Sequence, residues 1–319
     1  MLQNIVHRRI LVIKHGALGD IVQALDAFAS LRAGNPNAHI ALMTSPVFLS
    51  LAKMMPWFDE VIVDPRAGLL NLAAAWRIRK YFCQDWSVIV DMQCSNRTRN
   101  YFAHFVPSNT RWIGTASGCS DSLPDFAGVN NRDRMVTTAK MAGGIWQSSD
   151  MSWLVNGATQ TDDPVVMIND EQYAVLIPGC SLAKPQKRWP ADRFAAIGNE
   201  LAARGFEIVL VGTVDDRDAV NAVLAALPDA IDLCGKTNLA GLARLLGGAA
   251  FVIGNDTGPM FLAARTGVPS LMIMGPDTDP AMSAPKGAAA SWLQGVPISE
   301  VSAATAIVAL ESLGLKPNA

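Results

Sequence analysis

Three places in the chain carry residue types that could do group-transfer chemistry. The first is Phe251 to Pro280, F-V-I-G-N-D-T-G-P-M-F-L-A-A-R-T-G-V-P-S-L-M-I-M-G-P-D-T-D-P, which parses as an apolar strand, a polar elbow Gly254-Asn255-Asp256-Thr257-Gly258, a helix opening at Pro259, and a second strand Ser270 to Met274. Pro259 suits a first helical turn, and Asp256 and Thr257 are good N-cap types. Such an elbow aims unpaired backbone N–H groups past the strand end, a setting for a phosphate. A tight turn before a capped helix, with nothing bound, is the competing reading.

The second place is the loop P-G-C-S-L-A-K-P-Q-K-R-W-P at Pro178 to Pro190, where Lys184, Lys187 and Arg188 follow a strand and precede a helix. Cations there can meet a pyrophosphate, or can simply be solvated. The next strand ends in Gly212-Thr213 at the same sheet edge, so Thr213 could line a base or ribose pocket.

The third is Asp20, which ends H-G-A-L-G-D just where helix-period residues Ile21, Leu25, Phe28 and Leu31 begin. A carboxylate at that point can cap the helix, or can act as general base on a substrate hydroxyl. A weaker candidate pair is Arg97 and Arg99, in the polar run after Asp91. They could hold a phosphate or carboxylate, or be solvated residues of a helix start.

The elements that must position these groups alternate. Strands are expected at Ile10–Ile13, Ile40–Met43, Val61–Val63 and Ser87–Asp91, with helices between them, which means a doubly wound parallel sheet. The first loop is not G-x-G-x-x-G and no acidic residue ends the second strand, so a dinucleotide site is disfavoured. The helix Leu69 to Phe82 is expected to bury Leu69, Leu72, Ala73, Trp76 and Phe82. Its Arg77, Arg79 and Lys80 either complement the helix dipole or form a basic edge for an anionic membrane surface or acceptor. Thr115 to Asn131 reads as one long loop.

Periodicity fails between Trp153 and Glu171, placing a domain boundary at 160/161. A second α/β alternation follows, running from strand Tyr173–Ile177 into the opening stretch. Two such halves, 1–160 and 161–319, imply a ligand cleft between them. The last helix, at about 300–314, is expected to pack back on the body.

Composition sets outer limits. The chain has 319 residues, 50% hydrophobic and 17% charged, with a formal net charge of −2, so nothing draws it globally to nucleic acid and any anion site is local. Five cysteines without a C-x-x-C pair or metal-ligand spacing point to reduced thiols, a cytoplasmic setting and no metal site. No apolar stretch approaches a membrane span, leaving the cytosol or a peripheral position on a membrane.

Four segments together resemble glycosyltransferase family 9, the ADP-heptose:lipopolysaccharide heptosyltransferases. They are I-L-V-I-K-H-G-A-L-G-D at Ile10–Asp20, W-S-V-I-V-D-M-Q at Trp86–Gln93, K-R-W-P at Lys187–Pro190, and G-N-D-T-G-P-M at Gly254–Met260 with G-V-P from Gly267. The resemblance implies a GT-B architecture of two Rossmann-like domains, with the acceptor in the first and the donor in the second. It implies inverting transfer without metal or cofactor, from an ADP-sugar co-substrate to a lipid-linked core oligosaccharide at the inner membrane. By position, Asp20 matches the catalytic base, Lys187 a lysine on the donor phosphates, and Asp256, Thr257 and Gly258 the pyrophosphate and sugar segment. Ser181 and Thr213 complete the donor-side candidates, and Arg97 and Arg99 are the acceptor-side ones. Asp277-Thr278-Asp279 has the spacing of a metal-binding D-x-D but sits in a loop the family shares, and is read as structural. One departure stands out: the family usually has histidine where this chain has Phe261, which favours an altered sugar preference over lost catalysis; the alternatives are a family member with a different sugar-nucleotide donor or acceptor, and a non-catalytic nucleotide-sugar-binding protein.

Overall fold

The computed structural model describes residues 8–66, 72–156, 168 and 172–316. The chain divides into two units, Met1–Ser149 and Asp150–Ala319. The expected boundary at 160/161 lies outside the described residues.

Unit 1 runs β1 (Arg9–Ile13), α1 (Leu18–Gly34), β2 (His39–Thr44), α2 (Leu49–Met54), β3 (Glu60–Val63), α3 (Leu72–Phe82), β4 (Val88–Asp91), α4 (Asn96–Phe105), β5 (Trp112–Gly114), β6 (Asp121–Ser122) and α5 (Asn131–Met141). Unit 2 runs α6 (Ser152–Val155), β7 (Tyr173–Ile177), α7 (Ala191–Ala203), β8 (Glu207–Leu210), α8 (Arg217–Leu224), β9 (Ile231–Asp232), α9 (Leu239–Gly248), β10 (Phe251–Asn255), α10 (Gly258–Thr266), β11 (Ser270–Met274), α11 (Pro280–Ser283), β12 (Ala290–Gln294) and α12 (Ala303–Ser312).

Both sheets are parallel, ordered β3-β2-β1-β4-β5-β6 and β9-β8-β7-β10-β11-β12. Counted from each unit's first strand, both read 3-2-1-4-5-6, the doubly wound order in which the direction of strand addition reverses between strands 1 and 4. The central strands are apolar on both faces because helices cover both. Ile10 to Ile13 and Ala174 to Leu176 are wholly buried. The core of unit 1 includes a cluster around Leu11, Ile13, Ile78, Phe82, Tyr101 and Trp112, and that of unit 2 one around Leu176, Trp189, Phe194, Ile253 and Leu310. Through Ala306 and Leu310, α12 packs on unit 2.

Two local expectations change. The expected loop Thr115–Asn131 contains β6, a two-residue edge strand of Asp and Ser that carries no apolar signal. The buried face of α3 is Ala74, Ile78 and Phe82, while Ala73 and Trp76 are exposed. The spacing of four fixes that face, and Trp76 falls on the opposite arc with the cations. Leu69 lies outside the described residues.

Candidate active-site residues at two switch points

In unit 1, Ile13 of β1 pairs with Asp91 of β4, so the loops after these strands emerge side by side at the switch point. The β1–α1 loop is strapped from two sides. His15 N–H donates to Gln93 Oε1 (2.9 Å), and Ser45 Oγ donates to the His15 carbonyl (2.6 Å). Gly16 adopts φ +127°, and a Cβ there would come within 2.3 Å of the Phe48 ring, so only glycine fits.

Asp20 is the third residue of α1, with Ala17 in the N-cap position. Its Oδ2 accepts the Ala17 N–H at 3.0 Å, so it closes the first turn from inside the helix rather than capping it from outside. The other oxygen, Oδ1, has no hydrogen bond among the described residues, and the side chain is only half-buried. One oxygen orients the carboxylate and the other is open to a substrate proton.

A second charged group, just past the end of β1, is one that sequence reasoning passed over. Lys14 is buried, its Nζ 3.3 Å from the Met92 carbonyl. Burial holds the ammonium below the ordinary lysine range; Asp20, Cys94 and Asp91 oppose that shift and Arg134 adds to it. Burial also raises the Asp91 carboxyl, against N–H bonds from Cys94 and Gln93, and pushes the Cys94 thiol up to about 11 with help from Asp91.

The structure does not bring Arg97 and Arg99 together. Arg97 reaches the Tyr101 hydroxyl (2.9 Å) and the Arg66 carbonyl (3.0 Å), whereas Arg99 reaches Thr115 Oγ1 (3.3 Å) and Asn96 Oδ1 (3.0 Å). Two residues apart on a helix, they point to different neighbours. Arg97 belongs to a buried chain in which Tyr101 O–H donates to Asp64 Oδ2 (2.7 Å) and His15 Nε2 lies 2.9 Å from the same oxygen. Burial pulls the Asp64 carboxyl up, but the contacts from His15, Tyr101 and the Arg66 N–H outweigh it and hold the group below its ordinary value. The first turn of α4 is closed by its own residues: Ser95 Oγ accepts Thr98 N–H and Thr98 Oγ1 accepts Ser95 N–H.

The switch point of unit 2 is built the same way and finished differently. Ile177 of β7 pairs with Gly254 of β10. The buried Asn255 side chain is the strap: Oδ1 accepts the Trp189 N–H (2.9 Å) and Nδ2 donates to the Pro178 carbonyl (2.8 Å). Trp189 is itself anchored, with Nε1 donating to the Val301 carbonyl (2.8 Å) and its ring edge-on to Phe194. Gly179 is required because a Cβ would sit 2.2 Å from the Asp216 side chain.

This frame holds Lys187 against Asp256, whose Oδ2 pairs with Nζ and also accepts Thr278 O–H at 2.6 Å. At the start of α10, Thr257 makes no side-chain cap bond and Pro259 has no N–H to give. The Thr257 and Gly258 N–H groups have no partner among the described residues. The positive end of a helix is therefore left open beside an anchored lysine.

The remaining candidates sit around this point. Lys184 and Ser181 are exposed on the same loop, and Arg188 donates weakly to the Cys180 carbonyl (3.5 Å). The expected strand end at Gly212-Thr213 falls earlier, since β8 stops at Leu210; Thr213 starts the turn that follows, with both its N–H and hydroxyl on Asp216 Oδ2, at 2.9 and 2.8 Å. Asp277 meets Gln186, Thr278 meets Asp256, and Asp279 caps α11 through the Ala281 N–H (2.9 Å). Among the described residues no three His, Cys, Asp or Glu side chains gather to hold a metal. Phe261, in α10, is only 7% exposed.

Asn255, Thr278, Gln93 and Lys14 were not singled out as site residues, although all four lie in the motif stretches or beside them. For Lys14, Gln93 and Asn255 the signal is a polar residue at or just past the end of an apolar strand; Thr278, four residues beyond β11, carries no such signal.

Comparison with known proteins identifies the family and the fold. Residues 142–297 match glycosyltransferase family 9 (heptosyltransferase). Lipopolysaccharide heptosyltransferase 1 of Pseudomonas aeruginosa is 32% identical over 310 residues, covering 88% of this chain and 81% of that one. Lipopolysaccharide heptosyltransferase 2 of Salmonella typhimurium is 25% identical over 297 residues, covering 85% and 83%. The Escherichia coli heptosyltransferase WaaC, solved with ADP, superposes with a TM-score of 0.76 at 18% identity, covering 96% of this chain and 100% of that one. The two Rossmann-like units are thus of the GT-B type.

Proposed function

The chain belongs to glycosyltransferase family 9 and is a glycosyltransferase; from that premise we propose that it moves heptose from ADP-heptose to a lipopolysaccharide core acceptor, with inversion and without a metal. The observation that carries this reading is the open N-terminus of α10 beside Lys187, a preformed site for a departing pyrophosphate. The names of the relatives and the ADP in the Escherichia coli enzyme support the sugar and the base.

In the proposed reaction Asp20 Oδ1 takes the proton from an acceptor hydroxyl as its oxygen bonds to the anomeric carbon of the donor. The bond from that carbon to the phosphate oxygen breaks, and its electron pair leaves with ADP. Negative charge then grows on the pyrophosphate, where Lys187 and the Thr257 and Gly258 N–H groups stabilise it. Asp256 holds Lys187 in place, and Thr278 holds Asp256. Ser181 and Thr213 stand at the donor edge of the sheet, and Arg97 and Arg99 on the acceptor side. The acceptor is lipid-linked, so the enzyme works at the cytoplasmic face of the inner membrane. No helix among the described residues is long and apolar enough to cross it.

The test is an assay with ADP-heptose and a delipidated core acceptor in the presence of EDTA. A product heavier by one heptosyl residue, with inverted anomeric configuration, is the expected result. No product, or product only when a divalent ion is restored, contradicts the proposal. A second reading, a different donor sugar, rests on Phe261, which places an apolar ring where the family usually has histidine. Phe261→His should then shift the ranking of sugar nucleotides while leaving affinity for free ADP unchanged.

A further inference from the structure

The helix α3 has an outer face that the chemistry above does not use. Its inner face, Ala74, Ile78 and Phe82, packs into the unit 1 core. Ala73, Trp76, Arg77, Arg79 and Lys80 are exposed on the opposite arc, Trp76 to 65%, and Lys80 Nζ lies 6.0 Å from the Trp76 ring centre. A tryptophan that could have been buried is held out in solvent among three cations.

The neighbouring helix extends the pattern. Tyr101, Phe102 and Phe105 of α4 pack on the same cluster as Ile78 and Phe82, so both helices cover one face of the sheet. Neither contains Asp or Glu, and together they carry Arg77, Arg79, Lys80, Arg97 and Arg99, with His104 exposed. Between Leu72 and Phe105 the only exposed carboxylate is Asp85, since Asp91 is buried. None of Arg77, Arg79 and Lys80 forms an ion pair among the described residues. In a chain of net charge −2 this is a local concentration of positive charge, opposite in sign to the whole.

We propose that the outer face of α3 docks the protein on an anionic phospholipid surface, with Trp76 at headgroup depth and Arg77, Arg79 and Lys80 against the lipid phosphates. An exposed indole flanked by cations on an amphipathic helix has the chemistry of an interfacial element: the ring gains from partial dehydration, and each cation gains from the surface potential. Four side chains on one short helix suit weak, reversible and salt-sensitive attachment. This deepens the lipid-linked acceptor of the proposed function and rests on that reading for its purpose, though not for its geometry.

Flotation of the full chain with phosphatidylcholine vesicles, with and without phosphatidylglycerol, tests it in the absence of donor and acceptor. Binding is expected only to the anionic vesicles and is expected to fall at high salt. The Arg77→Gln, Arg79→Gln, Lys80→Gln triple variant should lose at least about tenfold in partitioning, and Trp76→Ala should lose less while keeping the salt dependence. Both variants should retain wild-type transfer to a delipidated acceptor and an unchanged thermal midpoint, because every altered side chain is exposed. Equal binding to zwitterionic vesicles, no binding to anionic ones, or unchanged binding by the triple variant overturns the proposal. Any of these with transfer intact leaves the proposed function standing; lost transfer to delipidated acceptor in the wild type would sink that function without touching vesicle binding.

Discussion

The two units fold the same strand order and then finish their switch points in opposite ways. Both strap the loop after the first strand with a side-chain amide from the end of the fourth, Gln93 in unit 1 and Asn255 in unit 2. In unit 1 the helix after the fourth strand closes its own first turn through Ser95 and Thr98, and the proposed working group is a carboxylate on α1. In unit 2 the matching helix start is left open, and the proposed working group is a lysine on the loop, held by Asp256. The contrast teaches that a common scaffold leaves its chemistry to a few residues at the strand ends. A closed helix start with a free carboxylate oxygen can take a proton, and an open one with a cation can receive negative charge.

The largest effect should come from the carboxylate. Asp20→Ala is expected to lower kcat by about a thousandfold or more, the scale of a lost general base, with ADP affinity nearly unchanged in a calorimetric titration. An equal loss of ADP affinity would erase the division between the units. Lys187→Ala is expected to do the reverse, weakening ADP binding by about ten- to a hundredfold, the scale of a charge-assisted hydrogen bond. Unchanged affinity would remove Lys187 from the phosphate site.

The straps come next. Asn255→Ala leaves the Trp189 N–H and the Pro178 carbonyl without their buried partner, and should cost about 2 kcal/mol in chemical denaturation. Asn255→Asp should not rescue it, because a carboxylate cannot donate to Pro178.

The smallest effect is electrostatic. The folded state holds Asp64 below its unfolded value of 3.8. Its contribution is therefore present above that pH and is lost as pH falls through the lower folded value. Asp64→Asn should destabilise unit 1 by about 1 kcal/mol at neutral pH, with the gap to wild type closing in strong acid. A gap that stays constant with pH would mean that the charge of Asp64 does nothing and only its shape matters.

Much of this was legible in the sequence because parallel sheets write themselves as apolar runs. Arg9–Ile13, Tyr173–Ile177 and Phe251–Asn255 all stood where the runs placed them, and glycine and proline marked the loops that follow. The elbow at Gly254–Gly258 and the turn before Asp20 were readable for the same reason. What did not read was set by tertiary context. Trp76 looked like core because large apolar residues usually are, but an alanine-rich helix can bury Ala74 and Ile78 and leave the indole outside. Arg97 and Arg99 looked like a pair, and helix geometry sends them to different neighbours. The Lys187–Asp256 ion pair joins residues 69 positions apart, a separation no local pattern encodes.

The most direct test of the account is calorimetric titration of the wild-type chain with ADP, UDP and GDP under identical conditions with EDTA present. The account predicts selective binding of ADP. Tighter binding of UDP or GDP would contradict the proposed donor while keeping the family, and no binding of any of the three would contradict the reading of the open end of α10 as a nucleotide phosphate site.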